Sequence, residues 1–266
     1  MNRFVLKSAA AASVAVTVLA FAALAQETDE PWSQADAYFD PAEMKAARDD
    51  LLAHHGGQNV WYFQADRFEV RSTDDADLAL LDGNAWYGGD INKAWLKVEA
   101  EYDFDASEFE EAEAQLLWSH AISPYFDVQT GIRQDFKPEG RTHAVLGLQG
   151  LAPYLFEVDG AAFLSTEGDL TARMEAEYEL LLMQRLILQP RVEVDISAQD
   201  IPELETGSGL TSASAGLRLR YEIIREFAPY VGVEWTSSFG GTADYLKAAG
   251  EDTDETAFVF GIRAWF

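Results

Sequence analysis

The 266-residue sequence predicts an all-β protein. The expected fold is a transmembrane antiparallel β-barrel of about twelve strands, with ten as the alternative count, behind a short N-terminal helical segment. Three observations lead there. From residue 58 onward, segments of about ten residues alternate apolar and polar side chains, the length a tilted membrane strand needs. Short and long connections between the segments alternate, as short turns at one rim and longer loops at the other require. After residue 25, no run approaches the roughly 20 apolar residues of a membrane helix. A closed barrel is the other way for a chain to span a bilayer, because it leaves no backbone polar group unpaired.

The elements follow in chain order. Arg3 and Lys7 precede an apolar run over residues 8–25 that ends in Ala23-Leu24-Ala25, and polar Gln26 and Glu27 come next. Residues 1–25 therefore read as a secretory signal peptide, with a retained membrane anchor as the alternative. Its removal takes Arg3 and Lys7 away and moves the formal charge from −27 to −29. Residues 26–57 form an acidic segment assigned to the periplasm. Within it, Asp40-Pro41-Ala42-Glu43 starts a helix: Asp at the N-cap, Pro at the first position, Glu in the first turn. That helix is expected to reach about Ala53 and to stop before Gly56-Gly57.

Residues 58–266 are the expected barrel. Residues 59–71 read as its first strand and 77–88 as a short partner. Ala94, Leu96, Val98, Ala100 and Tyr102 alternate with Lys93, Trp95, Lys97, Glu99 and Glu101. Leu170, Ala172, Met174 and Ala176 alternate with Thr171, Arg173, Glu175 and Glu177. Phe258, Phe260, Ile262, Ala264 and Phe266 make the last apolar row, with Arg263 opposite. Tight turns are expected near Ser123-Pro124, Ala152-Pro153, Gln184-Arg185 and Glu226-Phe227. Longer polar loops are expected near 103–108, 137–141, 198–208 and 237–254. Tyr125, Tyr154 and Tyr230 each follow a proline near a tight turn and are assigned to one interfacial aromatic girdle. The terminal Phe266 at the end of an aromatic strand resembles the assembly signal of bacterial outer-membrane barrels.

If the apolar rows face lipid, the polar rows face a lumen. Asp127, Asp135, Glu157, Asp159, Glu175, Glu177, Glu193, Asp195, Glu222 and Glu234 are then enclosed with Arg133, Arg173, Arg191, Arg218, Arg220 and Arg263. Unpaired charges in so narrow a space are costly, so a paired network is expected there. Its net negative character favours cations. The acidic stretch Asp103, Asp105, Glu108, Glu110 and Glu111 reads either as a hard-ion loop or as a solvated one.

Composition narrows the function. An acidic chain without a basic patch repels phosphate backbones, so no nucleic-acid partner is expected. Zero cysteines exclude disulfide scaffolds, thiolate metal sites and thiol nucleophiles. Four histidines, His54, His55, His120 and His143, occur without HExxH, GxSxG or P-loop spacing. His143 with Ser165 or Ser119 has no spacing that supports a triad, and no enzyme is expected. The candidate metal ligands are Met44, His54 and His55, because thioether and imidazole suit copper in a compartment without cysteine ligands. Met44 and His55 are eleven residues apart, about 16 Å along a helix. The alternative is a polar helix end where His favours the dipole.

The chain also resembles a known family, copper resistance protein B (CopB) of Gram-negative bacteria. The resemblance rests on His55-Gly56-Gly57 with Phe63-Gln64-Ala65-Asp66-Arg67, on Trp86-Tyr87-Gly88-Gly89-Asp90, and on Gly147-Leu148-Gln149-Gly150-Leu151-Ala152-Pro153. Gln184-Arg185-Leu186-Ile187-Leu188-Gln189-Pro190-Arg191, Arg225-Glu226-Phe227-Ala228-Pro229-Tyr230 and the terminal Trp265-Phe266 extend it. It implies an outer-membrane barrel that contributes to copper resistance by binding copper ions or assisting their export. The implied partners are outer-membrane lipid, copper ions and periplasmic copper-resistance or efflux proteins. Many relatives carry a Met- and His-rich tract before the barrel; here residues 26–57 hold Met44, His54 and His55. The residues alone fit equally a general cation-selective or structural barrel, and more remotely an outer-membrane lipid hydrolase.

Overall fold

The computed structural model describes residues 32–55, 57–74 and 76–266. The expected signal peptide, and Gly56 of the family resemblance, lie outside the described residues. The chain divides into a unit ending at Gly57 and a unit beginning at Gln58.

In the first unit a 3-10 turn, Ser33–Ala37, precedes helix α1, Pro41–His55. Asp40 caps the helix as the sequence indicates: its Oδ1 accepts from the backbone N–H of Ala42 at 2.8 Å and of Glu43 at 3.3 Å. This satisfies two of the donors a helix start leaves open. The helix runs two residues past Ala53. Arg48 donates to both carboxylate oxygens of Asp36, at 2.6 and 3.0 Å, and ties the turn to the helix. Those bonds hold the Asp36 carboxyl below its ordinary value.

In the second unit the alternating rows become strands: β1 Val60–Ser72, β2 Asp77–Gly88, β3 Asn92–Asp103, β4 Glu108–Ala121, β5 Phe126–Lys137 and β6 Arg141–Ala152. They continue as β7 Phe156–Ser165 and β8 Leu170–Glu177, which resumes after a two-residue break as Leu180–Met183. The last four are β9 Leu186–Ser197, β10 Gly209–Tyr221, β11 Phe227–Ser238 and β12 Asp254–Trp265. Both pieces of β8 pair with β9, so they count as one strand. Each strand pairs antiparallel with the next, and β1 pairs with β12, which closes a ring of twelve. The ten-strand alternative fails because β1 and β2 are full members, twelve residues in register. Phe63 and Phe266 exchange both backbone hydrogen bonds, at 3.0 and 2.9 Å, at the seam. Most strands have 12 to 14 residues. At about 3.3 Å per residue and a tilt of about 40°, that spans roughly 30 Å, the thickness of a hydrocarbon core.

One rim carries the tight turns, together with the start of β1 and the end of β12. The other carries the two long connections, 198–208 and 239–253; the connections 104–107 and 138–140, expected among the longer loops, are turns of four and three residues. The longer polar loop expected near 237–254 spans 239–253 and contains helix α2, Gly240–Ala249. Gly250, at φ 90°, ends it by donating to the carbonyls of Leu246 and Lys247. The helix packs on the 198–208 loop through Gly207 and Gly241, where a Cβ on Gly207 would lie 2.5 Å from the Gly241 Cα. Thr242 Oγ1 accepts from the Gly207 N–H at 2.9 Å.

Alternation sorts side chains to the two faces of the wall. On β12, Phe258 and Phe260 are 63% and 58% exposed, while Val259 between them is 0% exposed. Phe68, Leu116, Ile132, Leu146, Met174 and Val192 join the outward row. These residues make the outer face of the wall an extensive apolar band. Tyr125 and Tyr154 are exposed at the tight-turn rim as expected. Tyr230 is not part of that girdle: it is 6% exposed and donates to Glu69 inside the barrel. The reason is phase. Tyr125 and Tyr154 precede their strands, whereas Tyr230 lies three residues into β11 on the inward row. His120 falls on the outward row with Trp118, its ring 5.3 Å from the Trp118 ring, and contacts Asn92 Oδ1 at 2.9 Å.

Candidate functional site

The lumen is built by side chains that the strand period points inward, plus one break in that period. On β1, Tyr62, Gln64 and Asp66 share one parity and Arg67, Glu69 and Arg71 the other. The register of both neighbouring pairings shifts just after Ala65. This β-bulge turns two successive residues to the same side. Asp66 accepts from Arg263 at 2.8 Å, while Arg67 reaches Asp82 at 2.9 Å and Glu99 at 3.1 Å.

Around this point the enclosed charges form a lattice. Arg218 bonds Glu69 and Glu234, and Arg71 bonds Glu69, Glu101 and Glu234, all within 2.7–3.2 Å. Arg173 on β8 crosses the barrel to Glu99 on β3 at 2.9 Å and also meets Glu113, Glu193 and Asp195. Lys97 on β3 crosses to Asp159 on β7. Arg191 joins Glu175 and Glu193, and Arg133 joins Glu113 and Asp135. Taking so many charges from water is repaid because these five arginines are each held by two or more carboxylates. Gaps between charges are filled by apolar groups: Leu117, Val145 and Phe163 cluster in the lumen with Trp95 and Ala161 against them.

Toward the tight-turn rim the lumen opens into a vestibule of about 500 Å³ that reaches Pro124, Tyr125 and Leu151. A smaller space of about 370 Å³ adjoins it and shares Tyr62 and Arg263. Ten carboxylates and five cationic side chains line the larger chamber, so its field is negative and focused by low-dielectric walls. One wall is aromatic. The rings of Trp265, Tyr62, Trp86 and Trp95 follow one another across β12, β1, β2 and β3 at 5.9–6.0 Å. Lys93 Nζ lies 5.8 Å from the centre of the Trp86 ring.

Met44, His54 and His55 all lie on α1. Ten residues separate Met44 from His54, about 15 Å of rise with about 80° between them in azimuth. His54 is exposed, with Nδ1 2.9 Å from the Asp50 carbonyl oxygen. The donor types suit copper, but the helix does not gather Met44 and His54 into one seat. Among the described residues, no three of His, Asp and Glu converge on a metal-holding point. In the loop after β3, Asp103 Oδ1 accepts from the N–H of Asp105 at 2.6 Å and Ala106 at 2.9 Å, so it caps its own turn. His143 is 6% exposed in the lumen with Nε2 2.9 Å from Asp135 Oδ2.

The expected lumen acids and arginines line the interior. Arg67, Glu69 and Arg71 were missing from that expectation. The signal was present: the polar parity in Tyr62–Arg71 switches between Asp66 and Arg67, as a bulge requires.

Comparison with known proteins places these features in context. The family described as "Copper resistance protein B precursor (CopB)" matches residues 59–266. "Copper resistance protein B" of Escherichia coli is 44% identical over 228 residues, covering 85% of this chain and 76% of that protein. "Copper resistance protein B homolog" of Pseudomonas syringae pv. tomato is 42% identical over 233 residues, covering 85% and 79%. Among solved structures, a NanC porin superposes with a TM-score of 0.51 at 11% identity, over 77% of this chain and 99% of that one. That likeness concerns the barrel fold alone.

Proposed function

This chain belongs to the copper resistance protein B family, and from that premise we propose that it is an outer-membrane barrel that contributes to copper resistance by binding copper ions or assisting their export, without catalysis. Copper is its cargo. The observation that carries this reading is the vestibule wall, where carboxylates outnumber cationic side chains ten to five. Such a chamber concentrates metal cations from the compartment it opens to. In this reading the segment 26–57 is periplasmic, and the chamber receives its ions from the periplasm. Met44, His54 and His55 supply soft donors along α1 for transient contact.

The test is copper tolerance of a deletion strain carrying the wild-type gene or variants, on graded copper, zinc and nickel. Complementation restricted to copper supports the reading. Equal growth with and without the gene on copper contradicts it. Copper titration of the purified protein against His54→Ala/His55→Ala isolates the helix. Unchanged binding removes α1 from the mechanism and leaves the barrel. A second reading, a structural or general cation-selective barrel, draws on the density of the ion-pair lattice. It expects the same single-channel preference for potassium and copper.

A further inference from the structure

The cationic side chains of the lumen are of two kinds. Arginines make up the lattice and most hold several carboxylates, as Arg173 holds four; Arg220 holds Glu179 and Gln189 and is buried. Among the described residues the lumen has only two lysines, Lys93 and Lys97, both on β3 and both lining the vestibule. Lys93 Nζ meets Asp127 on β5 at 2.8 Å, and Lys97 Nζ meets Asp159 on β7. Each lysine has one carboxylate partner. The lysine pairs are half-open to the chamber: their side chains are 16–31% exposed, as open as Arg173 and its partners and far more open than Arg218 and Glu69 at 3% and 0%. An ammonium on a flexible four-carbon stem is a point charge without the planar fork that fixes arginine. These two are therefore the most readily displaced cations of the interior.

Their partners sit in one register row. Asp127 pairs with Gln149, Gln149 with Asp159, and Asp159 with Glu175, across β5 to β8. A row of oxygen donors along the wall of a chamber is where a cation travelling through the vestibule would rest. Two of those rests are already taken by groups tethered to β3.

We propose that Lys93 and Lys97 are tethered counter-cations that occupy the carboxylate row of the vestibule and set how readily a metal cation enters it. This rests on the copper-handling reading above. An entering divalent ion takes Asp127 or Asp159 as the ammonium leaves for the open chamber, with no covalent bond made or broken. When the ion moves on, the lysine returns and the row is neutral again. The ordinary alternative is that each lysine merely stabilises the barrel as half of an ion pair.

The experiment reconstitutes the full chain in phosphatidylcholine vesicles and follows entry of Cu²⁺ with a trapped indicator. Lys97→Met is expected to raise the entry rate severalfold, and Lys97→Arg to lower it below wild type, because a guanidinium grips Asp159 with two donors. Asp159→Asn removes the seat and is expected to admit copper more slowly than Lys97→Met. Lys93→Met, chosen on the same grounds at Asp127, gives the same reading if Lys97→Met fails to assemble. Wild-type entry that is unchanged in Lys97→Met and Lys97→Arg, with only a lower unfolding temperature, overturns this inference and leaves the copper reading intact. No copper entry or binding by any form, wild type included, overturns both.

Discussion

Arg218 and Glu69, 149 residues apart in sequence, form a two-pronged ion pair inside the barrel: Nε and Nη2 donate to the two carboxylate oxygens at 3.0 and 2.8 Å. Tyr230 and Arg71 add two more bonds to the same carboxylate, at 2.8 and 3.0 Å. The pair joins β10 to β1 over β11 and β12, so it fixes the last strands against the first. Removing Glu69 leaves the buried Arg218 with Glu234 alone, a carboxylate that Arg71 also shares. Glu69→Gln is expected to cost about 3 kcal/mol, read as a lower urea midpoint of the folded barrel in detergent. The double variant Glu69→Gln/Arg218→Met is expected to recover part of that loss. A midpoint that does not move in Glu69→Gln contradicts the assignment.

The β1 bulge makes a second expectation. Deleting Asp66 alone removes the extra residue and keeps Tyr62, Gln64, Arg67 and Glu69 on one face, so that variant is expected to assemble. Deleting Ala65 and Asp66 together puts the two halves of the strand out of phase and forces a choice. Either Tyr62 and Gln64 turn to the acyl chains, or Arg67 and Glu69 do. Both outcomes place polar groups in hydrocarbon, at a cost of about 2–4 kcal/mol for each charged side chain near the midplane. The double deletion is expected to abolish heat-modifiable folded protein in membranes. Normal assembly of the double deletion would show that the inward phase of the two halves is not required.

In the N-terminal unit, the Arg48 guanidinium lowers the Asp36 carboxyl from its ordinary value of 3.8. A carboxyl depressed on folding contributes stability that is complete above its unfolded value and lost as pH falls through the folded one. The link between the 3-10 turn and α1 is therefore expected to persist at neutral pH and to release only in acid below the ordinary aspartate range. Arg48→Met is expected to return the Asp36 titration, followed by carboxyl carbon resonance, to its ordinary value. An Asp36 midpoint identical in both proteins would remove the pair as a determinant.

What the sequence could reveal depended on contrast between the two faces of each strand. In Leu170–Glu177, greasy and ionised residues alternate cleanly, and the outward Met174 and inward Glu175 were both legible. In Phe258-Val259-Phe260 the outward row was legible from Arg263 opposite it, but in that stretch and in Leu116-Leu117-Trp118 both faces are apolar, so nothing marked Leu117 or Val259 as lumen residues. The inward Tyr230 was hidden for a related reason: its Pro-Tyr motif matched two others by composition but sits deeper in its strand. Helix α2 was hidden by Gly240-Gly241, which read as loop and instead provides a close backbone approach. The pairing of particular charges across the barrel, such as Lys97 with Asp159, depends on curvature and register between distant strands, which no local pattern encodes.

The central claim is that the apolar row of each strand touches acyl chains while the ionised row is enclosed. The chain has no native cysteine, so single-cysteine spin labels at consecutive positions 256–262 of β12, in vesicles, test it directly. The expected result is a period of two, with high oxygen accessibility at Phe258→Cys and Phe260→Cys and low accessibility at Val259→Cys and Gly261→Cys. A flat profile, or water-soluble relaxation agents reaching Phe258→Cys and Phe260→Cys as readily as oxygen does, would contradict it.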